Sequence, residues 1–357
     1  MSYFFKLIYK KILVFFFRFL YGKIYLSKNF LVKKIQSNKE LKKNKYFIYF
    51  INKGRIYTDN TQNVAVICKN NLIKECSFQH KNNRLVGAIH NPVLKYGTPR
   101  FIKKFNGTVF SLVQGASGEN YFHWLMDILP KIKICLEYYS IKKIDYFYTA
   151  KLNNAQTESL KYLGIDHNKI INSRSFKHIK ADTIITTSHP WYRRGGFHAQ
   201  SDQLPKWSIN WIRKKFLHFK KRFKVNDKIF LDRLDSAHKH CQIINYEEIK
   251  KILKKNNFQI VQCSKFSFAK QIYMFWKAKF IIGVHGAALT NIIFCKPKTK
   301  ILEIKPYKHP GKYYKRIAKI RKLNYKIIQS EKKYTRNLLG DIFIEPNKFR
   351  KIIKNKY

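Results

Sequence analysis

The feature that most constrains the fold is an apolar run that ends in two closely spaced glycines. Residues 280–284 read Phe-Ile-Ile-Gly-Val, and residues 285–291 read His-Gly-Ala-Ala-Leu-Thr-Asn. A continuous apolar run is typical of a strand buried inside a parallel sheet. The residues after it suit a tight turn and the first turn of a helix. The stretch therefore predicts an α/β sheet with a buried strand that begins at Phe280 and leads into the glycine turn.

This turn is also a candidate phosphate site. Gly283 and Gly286 lack a Cβ, so we expect the backbone to turn sharply there and a ligand to approach closely. The first N–H groups of a helix and its dipole favour an anion. The alternative is a glycine turn that serves only the fold. The candidate binding residues of the turn are His285, Gly286, Ala287, Thr290 and Asn291.

The chain around this turn alternates strands and helices. We expect strands at 228–231, 258–262 and 300–304, with helices that begin after Asn245 and Ser267. Such alternation predicts a doubly wound parallel sheet, whose ligands bind beyond the carboxyl ends of the strands. Arg233 and Glu303 lie at such ends and are candidates to clamp a diphosphate and to hold ribose hydroxyls. The alternatives are a surface charge and a capped strand end.

An earlier segment repeats the pattern of strand, Gly/Ser turn and helix. In that helix His123 and Asp127 are four residues apart and share a face. A histidine can take a proton from a hydroxyl while a carboxylate fixes its tautomer and stabilises its charge. Glu119 lies one turn earlier. The residues leave open which of Glu119, His123 and Asp127 is the base. The alternative to a catalytic His123 is a histidine that is only hydrogen-bonded in a polar pocket.

A loop at residues 189–196 carries Arg193 and Arg194 beside aromatic residues. Arginine side chains present a fork of donors that suits phosphate or carboxylate. A solvated basic loop is the alternative in so basic a chain.

The net charge of +53 over 357 residues limits the choice of partners. Nucleic-acid binding would gather the charge on one face, whereas the basic residues here are spread along the chain. An anionic membrane or substrate requires only a general excess, and the abundance of Lys, Asn, Ile, Tyr and Phe is also typical of an AT-rich genome. We therefore expect no nucleic-acid partner. The six cysteines form no CxxC pair, which argues against structural zinc and against a disulfide framework.

The first 25 residues are aromatic, apolar and basic. A spanning helix needs ~20 apolar residues, and here Lys6, Lys10, Lys11 and Arg18 interrupt the run. We expect a basic helix that lies on a membrane surface, which makes the protein cytoplasmic and peripherally attached. A helix packed on the domain and a signal anchor are the alternatives. Four segments are predicted: helix and linker at 1–45, an α/β domain at 46–222, a Rossmann-like domain at 223–335 and a basic tail at 336–357.

Two segments resemble the glycosyltransferase 61 family, which includes enzymes of bacterial capsular polysaccharide synthesis. They are GENYFHWLMDILPKI and GVHGAALTNIIFCKPKTKILEI, and the segment Phe230-Leu231-Asp232-Arg233 lies between them in the expected order. The resemblance implies a GT-B fold, in which two Rossmann-like domains face a cleft that holds a nucleoside-diphosphate sugar. It also implies inversion at the anomeric carbon and no requirement for a metal or a cofactor.

The expected function is therefore transfer of a sugar to a hydroxyl of a glycan or a lipid-linked glycan, in surface or capsular polysaccharide synthesis. The chain has no Asp-x-Asp pair to bridge a metal and a diphosphate. The alternative is a basic protein that binds nucleic acid or anionic lipid on an inactive glycosyltransferase-like fold. On the acceptor side we place Asn120, Tyr121, Trp124, Arg193 and Arg194.

Overall fold

The computed structural model describes residues 3–27, 33–36, 46–59, 62–81, 84–114, 120–191, 195–196, 198–234, 241–332, 334 and 340–354. Its contacts divide the chain into two compact units. The first unit comprises residues 1–153 and 163–197, and the second comprises residues 154–162 and 198–357. The sequence-based domain ranges remain predictions. The contacts group residues 198–222 with the second unit.

The described strands, in chain order, are β1 (Tyr25–Leu26), β2 (Lys33–Gln36), β3 (Phe47–Asn52), β4 (Arg55–Thr58), β5 (Val64–Cys68), β6 (Asn71–Leu72), β7 (Gln79–Lys81), β8 (Arg84–Val86), β9 (Lys103–Ser111), β10 (Tyr146–Thr149), β11 (Ile170–Asn172), β12 (His178–Thr187), β13 (Gly195–Gly196), β14 (Lys228–Leu231), β15 (Gln259–Val261), β16 (Phe280–Val284), β17 (Lys300–Lys305) and β18 (Asn324–Gln329).

The described α-helices are α1 (Tyr3–Tyr21), α2 (Val93–Tyr96), α3 (Tyr121–His123), α4 (Leu129–Leu136), α5 (Asn154–Tyr162), α6 (Lys206–Phe216), α7 (Tyr246–Lys255), α8 (Phe268–Lys277), α9 (Tyr313–Arg321) and α10 (Pro346–Lys354). A π-helical turn, Trp124–Ile128, joins α3 to α4. A 3₁₀ helix, Ala287–Phe294, follows β16. The α/β class predicted from the sequence is confirmed.

The main sheet of the first unit is mixed. Strands β12, β9, β10 and β11 are parallel neighbours, whereas β3 and β4 both pair antiparallel with β12. Only Lys53 and Gly54 separate β3 from β4, and the backbone N–H of Lys53 donates to the carbonyl of Asp182 at 2.7 Å. The two strands therefore continue along one partner. A short turn then leads from β4 into β5, and the two strands pair antiparallel. A turn of this length cannot join parallel neighbours, which need a longer crossover connection.

The second unit contains a parallel sheet with the strand order β15-β14-β16-β17-β18. Successive strands are joined through helices, which is the connection that parallel pairing requires. The inner strands β14 and β16 are largely apolar on both faces, and β16 is buried along its whole length. Ile249 and Leu253 of α7 pack with Phe230 and Ile282 of the sheet in one core cluster. The doubly wound sheet predicted for this part of the chain is confirmed.

The strand order determines where this sheet can bind a ligand. The chain runs from β14 to β15 on one side and then crosses to β16 on the other side of β14. Connections that leave two adjacent strands in opposite directions open a crevice at their carboxyl ends. The crevice of this sheet therefore lies beyond Leu231 and Val284, where Arg233 and His285 follow.

The basic aromatic helix predicted at the N-terminus is present as α1. Within the described residues, no helix combines the length and the apolar character that crossing a bilayer requires. The six cysteines are all free, and five of them are buried, as expected for small core residues.

Candidate active site

In the first unit, the local fold brings His123 and Asp127 together. Asn120 begins α3, and its side-chain oxygen accepts hydrogen bonds from the N–H groups of Phe122 and His123 at 2.9 and 3.4 Å. The Nδ1 atom of His123 lies 2.7 Å from Oδ2 of Asp127. The pairing predicted from the four-residue spacing is confirmed. The backbone between the two residues is π-helical, a local distortion that is frequent at functional sites.

Asp127 is held by the loop that follows β12. The indole Nε1 of Trp191 donates to Oδ1 of Asp127 at 2.8 Å. The Nε2 atom of His189 lies 3.7 Å from Oδ2 of the same carboxylate. The side chain of Asp127 is 2% exposed, whereas that of His123 is 13% exposed. The carboxylate is therefore buried behind the imidazole, and the imidazole lies nearer to solvent.

These contacts keep Asp127 ionised. Burial alone would raise the pKa of this carboxyl, but the charge and hydrogen bond of His123, with the contribution of His189, outweigh burial and lower the pKa below its usual value. Burial lowers the pKa of His189, although Asp127 opposes the effect. An ionised carboxylate only accepts hydrogen bonds. His123 therefore carries its proton on Nδ1, and in the neutral ring Nε2 is the nitrogen that can accept another proton.

Two further basic side chains lie near this pair. Lys131, one turn after Asp127, is buried, and this burial lowers the pKa of its ammonium group to about 8 despite the neighbouring Cys76 and Asp127. Burial also lowers the pKa of His80 in β7, and the proximity of His123 lowers it further. The first unit therefore concentrates basic groups around one buried carboxylate.

The other residues that the sequence predicts for this region have three different placements. Trp124 is buried in the interior of the unit. Tyr121 is half-buried, and the side chain of exposed Asn120 caps the helix. The predicted residues Glu119, Arg193 and Arg194 lie outside the described residues. Of the three candidate bases, the structure thus brings together His123 and Asp127.

In the second unit, Arg233 and His285 meet at the crevice between β14 and β16. The Nη1 atom of Arg233 donates to the backbone carbonyl of His285. The hydroxyl of Tyr314 in α9 donates to the carbonyl of Gly286 at 2.7 Å. The guanidinium and the turn after β16 are therefore held against each other at the carboxyl edge of the sheet, which is the edge where open α/β sheets in general bind ligands.

A second buried carboxylate orients the imidazole of His285. The Nδ1 atom of His285 contacts Oε1 of Glu303 in the neighbouring strand β17, and the hydroxyl of Tyr325 in β18 donates to Oε2. Burial raises the pKa of Tyr325, and Glu303 raises it further, so the phenol remains a donor. The ring of His309 lies 4.0 Å from that of His285, centroid to centroid.

The chain bends at His285 and Gly286 as the sequence predicts, but this bend does not require a glycine-only backbone conformation, and the two glycines serve packing. Gly286 is extended, with φ 172° and ψ 166°, a conformation open to any residue. A Cβ on Gly286 would lie 1.7 Å from Nη1 of Arg233, and a Cβ on Gly283 would lie 2.8 Å from Cδ2 of Leu289. Gly286 makes room for a guanidinium, and Gly283 lets the following helix pack on the strand.

The helix predicted after the turn is present as a 3₁₀ helix. Residues Ala287–Phe294 form a 3₁₀ helix that begins after Gly286. Thr290 and Asn291 are fully buried, and the amide of Asn291 donates to Oε1 of Gln271 in α8 at 3.0 Å. Ala287 is half-buried at the start of the helix. The amide of Asn291 therefore joins two helices inside the unit.

Within the described ranges, no group of three or more His, Cys, Asp or Glu side chains is arranged to hold a metal ion.

Sequence reasoning missed the partners of both carboxylates. In residues 189–196 the sequence predicts a role for the two arginines, yet His189 and Trp191 are the residues of this loop that reach Asp127. Tyr325 lies in β18, a strand that was not predicted. Most residues of β18 are exposed, so the strand lacks the continuous apolar run of the buried strands. Trp191 is buried and its indole N–H needs an acceptor, but that acceptor lies 64 residues earlier in the chain, and no local pattern reveals the pair.

Comparison with known proteins identifies one family. The sequence model described as Glycosyltransferase 61 matches residues 121–302, about half of the 357-residue chain. The matched range contains His123, Asp127, Arg233 and His285 and stops just before Glu303. Among curated proteins, none matches the chain.

Proposed function

The chain belongs to the glycosyltransferase 61 family, as its motifs predicted, and on that premise we propose an inverting transfer of a sugar from a nucleoside-diphosphate sugar to a glycan hydroxyl. The observation that carries the proposal is the 2.7 Å contact between His123 and the buried carboxylate of Asp127. It supplies an oriented general base, which is what an acceptor hydroxyl requires before it can attack an anomeric carbon.

In the proposed reaction, Nε2 of His123 takes the proton of the acceptor hydroxyl while Asp127 stabilises the imidazolium that forms. The acceptor oxygen then bonds to the anomeric carbon as the bond from that carbon to the diphosphate oxygen breaks. The nucleoside diphosphate leaves with the electron pair, and attack opposite the leaving group inverts the configuration. Asp127 has its oxygens occupied by His123 and Trp191, which favours a positioning role for Asp127 and the role of base for His123.

The second unit would bind the donor. Arg233 and the turn at Gly286 lie at the crevice between β14 and β16, and a guanidinium there can neutralise the charge that develops on a leaving diphosphate. Both oxygens of Glu303 are engaged by His285 and Tyr325, which supports a role in orienting His285 in addition to the predicted contact with ribose.

The proposal includes the finer features that the family resemblance implies or that we expect from the sequence. They are the two-domain GT-B arrangement, independence from metal, a glycan or lipid-linked glycan as acceptor, and a role in surface or capsular polysaccharide synthesis at the cytoplasmic face of a membrane. Arg193, Arg194, Asn120 and Tyr121 remain proposed acceptor-side residues. Thr290, Asn291 and Ala287 remain proposed donor-side residues.

The donor is identified by thermal denaturation of the full chain with a panel of nucleoside-diphosphate sugars. A donor that binds only the folded state raises the melting temperature by mass action. We expect one class of nucleotide-sugar to do so and Arg233→Ala to abolish the shift. If no nucleotide-sugar and no free nucleoside diphosphate changes the melting temperature, the donor-binding part of the proposal is wrong.

The stereochemistry and the metal requirement are tested on the product. With the identified donor and a panel of glycan acceptors, we expect NMR to show a product of opposite anomeric configuration to the donor. The rate should be the same with and without a chelator. A product that retains the donor configuration contradicts the proposed inversion. If a chelator stops turnover and added metal restores it, the proposed independence from metal is wrong.

A further inference from the structure

The N-terminal helix α1 turns its most apolar face away from the first unit. Ile8, Ile12, Phe15 and Phe19 recur at spacings of four, three and four residues, which places them on one face of a helix. Phe15 and Phe19 are 76% and 87% exposed. A helix that packs on a soluble domain normally directs such a stripe inward. We call Ile8, Ile12, Phe15 and Phe19 the outer stripe.

The opposite face of α1 is fixed to the first unit. Phe17 is buried and packs edge-on against Phe101 at 5.0 Å. The ring of Tyr21 lies edge-on to that of His178 at 5.5 Å, and the guanidinium of Arg18 donates to the carbonyl of Lys95 at 2.5 Å. These contacts hold the second half of the helix, so the outer stripe keeps a defined direction.

The apolar surface extends beyond the helix. Phe101, in the segment before β9, is exposed and lies edge-on to Phe16 at 6.3 Å between ring centroids. Phe4, Phe5 and Leu20 are also exposed. Scattered single apolar residues are ordinary on a protein surface, whereas a contiguous patch of this kind marks an interaction site.

The charges beside the stripe identify the kind of partner. Helix α1 contains Lys6, Lys10, Lys11 and Arg18 and no acidic residue. Lys10 lies 4.6 Å from the ring centroid of Tyr96, and Lys11 is exposed. A second copy of the chain would also carry a net charge of +53, and the repulsion between two such chains opposes association. An anionic lipid bilayer complements both the aromatic stripe and the basic flanks.

We propose that α1 docks the protein on an anionic membrane, lying in the interface plane with the outer stripe inserted among the lipids. Aromatic side chains suit this depth because their rings enter the acyl boundary while lysine ammonium groups stay at the headgroups. The contacts of Phe17, Tyr21 and Arg18 then fix the first unit, with its His123–Asp127 pair, in one orientation to that membrane. The proposal is independent of the transfer reaction.

The test is sedimentation of the purified full chain with vesicles of phosphatidylcholine, either alone or mixed with phosphatidylglycerol. We expect binding to the mixed vesicles that weakens as salt is added. The double variant Phe15→Ser/Phe19→Ser should lower the partition coefficient at least about tenfold. The variant Lys11→Gln should weaken binding to mixed vesicles less than the double variant does.

The matched control is Ile244→Ser, which removes an exposed apolar side chain of the second unit and should leave partitioning unchanged. Circular dichroism and melting temperature establish that each variant is folded. The proposal is overturned if the chain binds neither vesicle type, or if the double variant binds as the wild type does, because charge alone would then account for the attachment. It is equally overturned if the double variant instead abolishes a concentration-dependent dimer that shows no affinity for vesicles.

Discussion

At the scale of single residues, Asp127 shows how a buried charge is stabilised. Its carboxylate is almost fully buried and accepts from His123 and Trp191, at 2.7 and 2.8 Å. An unpaired carboxylate in such a place would cost several kcal/mol or would take up a proton. Paired as it is, the carboxylate fixes one tautomer of His123, which is the property that a general base needs.

Removing the indole donor tests this positioning. In Trp191→Phe an aromatic ring is kept, although a smaller one, but Asp127 loses a hydrogen bond, and bonds to charged groups contribute about 1.5–3 kcal/mol. We expect kcat to fall about tenfold while the KM for the donor is unchanged, since Trp191 belongs to the first unit. Steady-state kinetics measures both constants. The control is Trp211→Phe in α6, and wild-type kcat in Trp191→Phe would remove Trp191 from this role.

Lys131 gives a pH-dependent prediction. Its pKa is about 8 in the folded protein because burial disfavours the ammonium, whereas an unfolded lysine titrates near its ordinary value of about 10.4. The unfolded state binds more protons between these two values, so this group raises the free energy of unfolding as pH rises through them. At pH 7 the buried charge carries its full penalty.

We therefore expect Lys131→Met to increase the free energy of unfolding at pH 7 by on the order of 1–3 kcal/mol. The gain over the wild type should shrink between about pH 8 and 10.4. Urea unfolding at several pH values measures it, and exposed Lys142→Met is the control. A variant less stable than the wild type at pH 7 would show that the ammonium of Lys131 makes net favourable interactions.

At the scale of elements, the sequence predicted those structures whose signals are local. The buried strand predicted from Phe280 onward is present as β16, and Ser267 caps α8 by accepting from the N–H of Lys270 at 3.3 Å. Asn245 precedes α7 as expected, but its side chain bonds to the backbone of Ile344 instead of capping the helix. That partner is 99 residues away, and no pattern near Asn245 could have revealed it.

The turn after β16 gives the prediction at this scale. In Gly286→Ala the extended backbone is unstrained, but the new Cβ would lie 1.7 Å from Nη1 of Arg233, so the guanidinium has to move. The group displaced is the end of a flexible side chain, so we expect the fold to survive. Displacing a group that positions the leaving diphosphate can cost about a hundredfold in rate.

Turnover and the donor-induced shift in melting temperature test the Gly286→Ala variant, and both should fall together. The control is Gly87→Ala, because a Cβ at Gly87 meets nothing within 4 Å. If Gly286→Ala bound donor and turned over like the wild type, the position of Arg233 would have no part in donor binding.

At the scale of the whole molecule, the sequence predicted the α/β class, the parallel sheet of the second unit and the family. It could do so because alternating strands and helices and the two motif segments are continuous along the chain. The mixed sheet of the first unit was not predicted, because β12 takes antiparallel partners that lie far earlier in the sequence. His189, Trp191 and Tyr325 were missed for the same reason, since pairing between distant segments leaves no periodic trace.

The central claim is that His123 is the general base of a sugar transfer. The most direct measurement is the rate of nucleoside diphosphate release, with donor and acceptor both present, for the wild type and for His123→Ala. General-base catalysis contributes about 10²–10⁴-fold to the rate, so we expect the release rate of His123→Ala to be lower than that of the wild type by this factor. The melting temperature of the variant and its shift with donor should stay as in the wild type. Release by His123→Ala at the wild-type rate, in a folded protein that still binds donor, would contradict the claim.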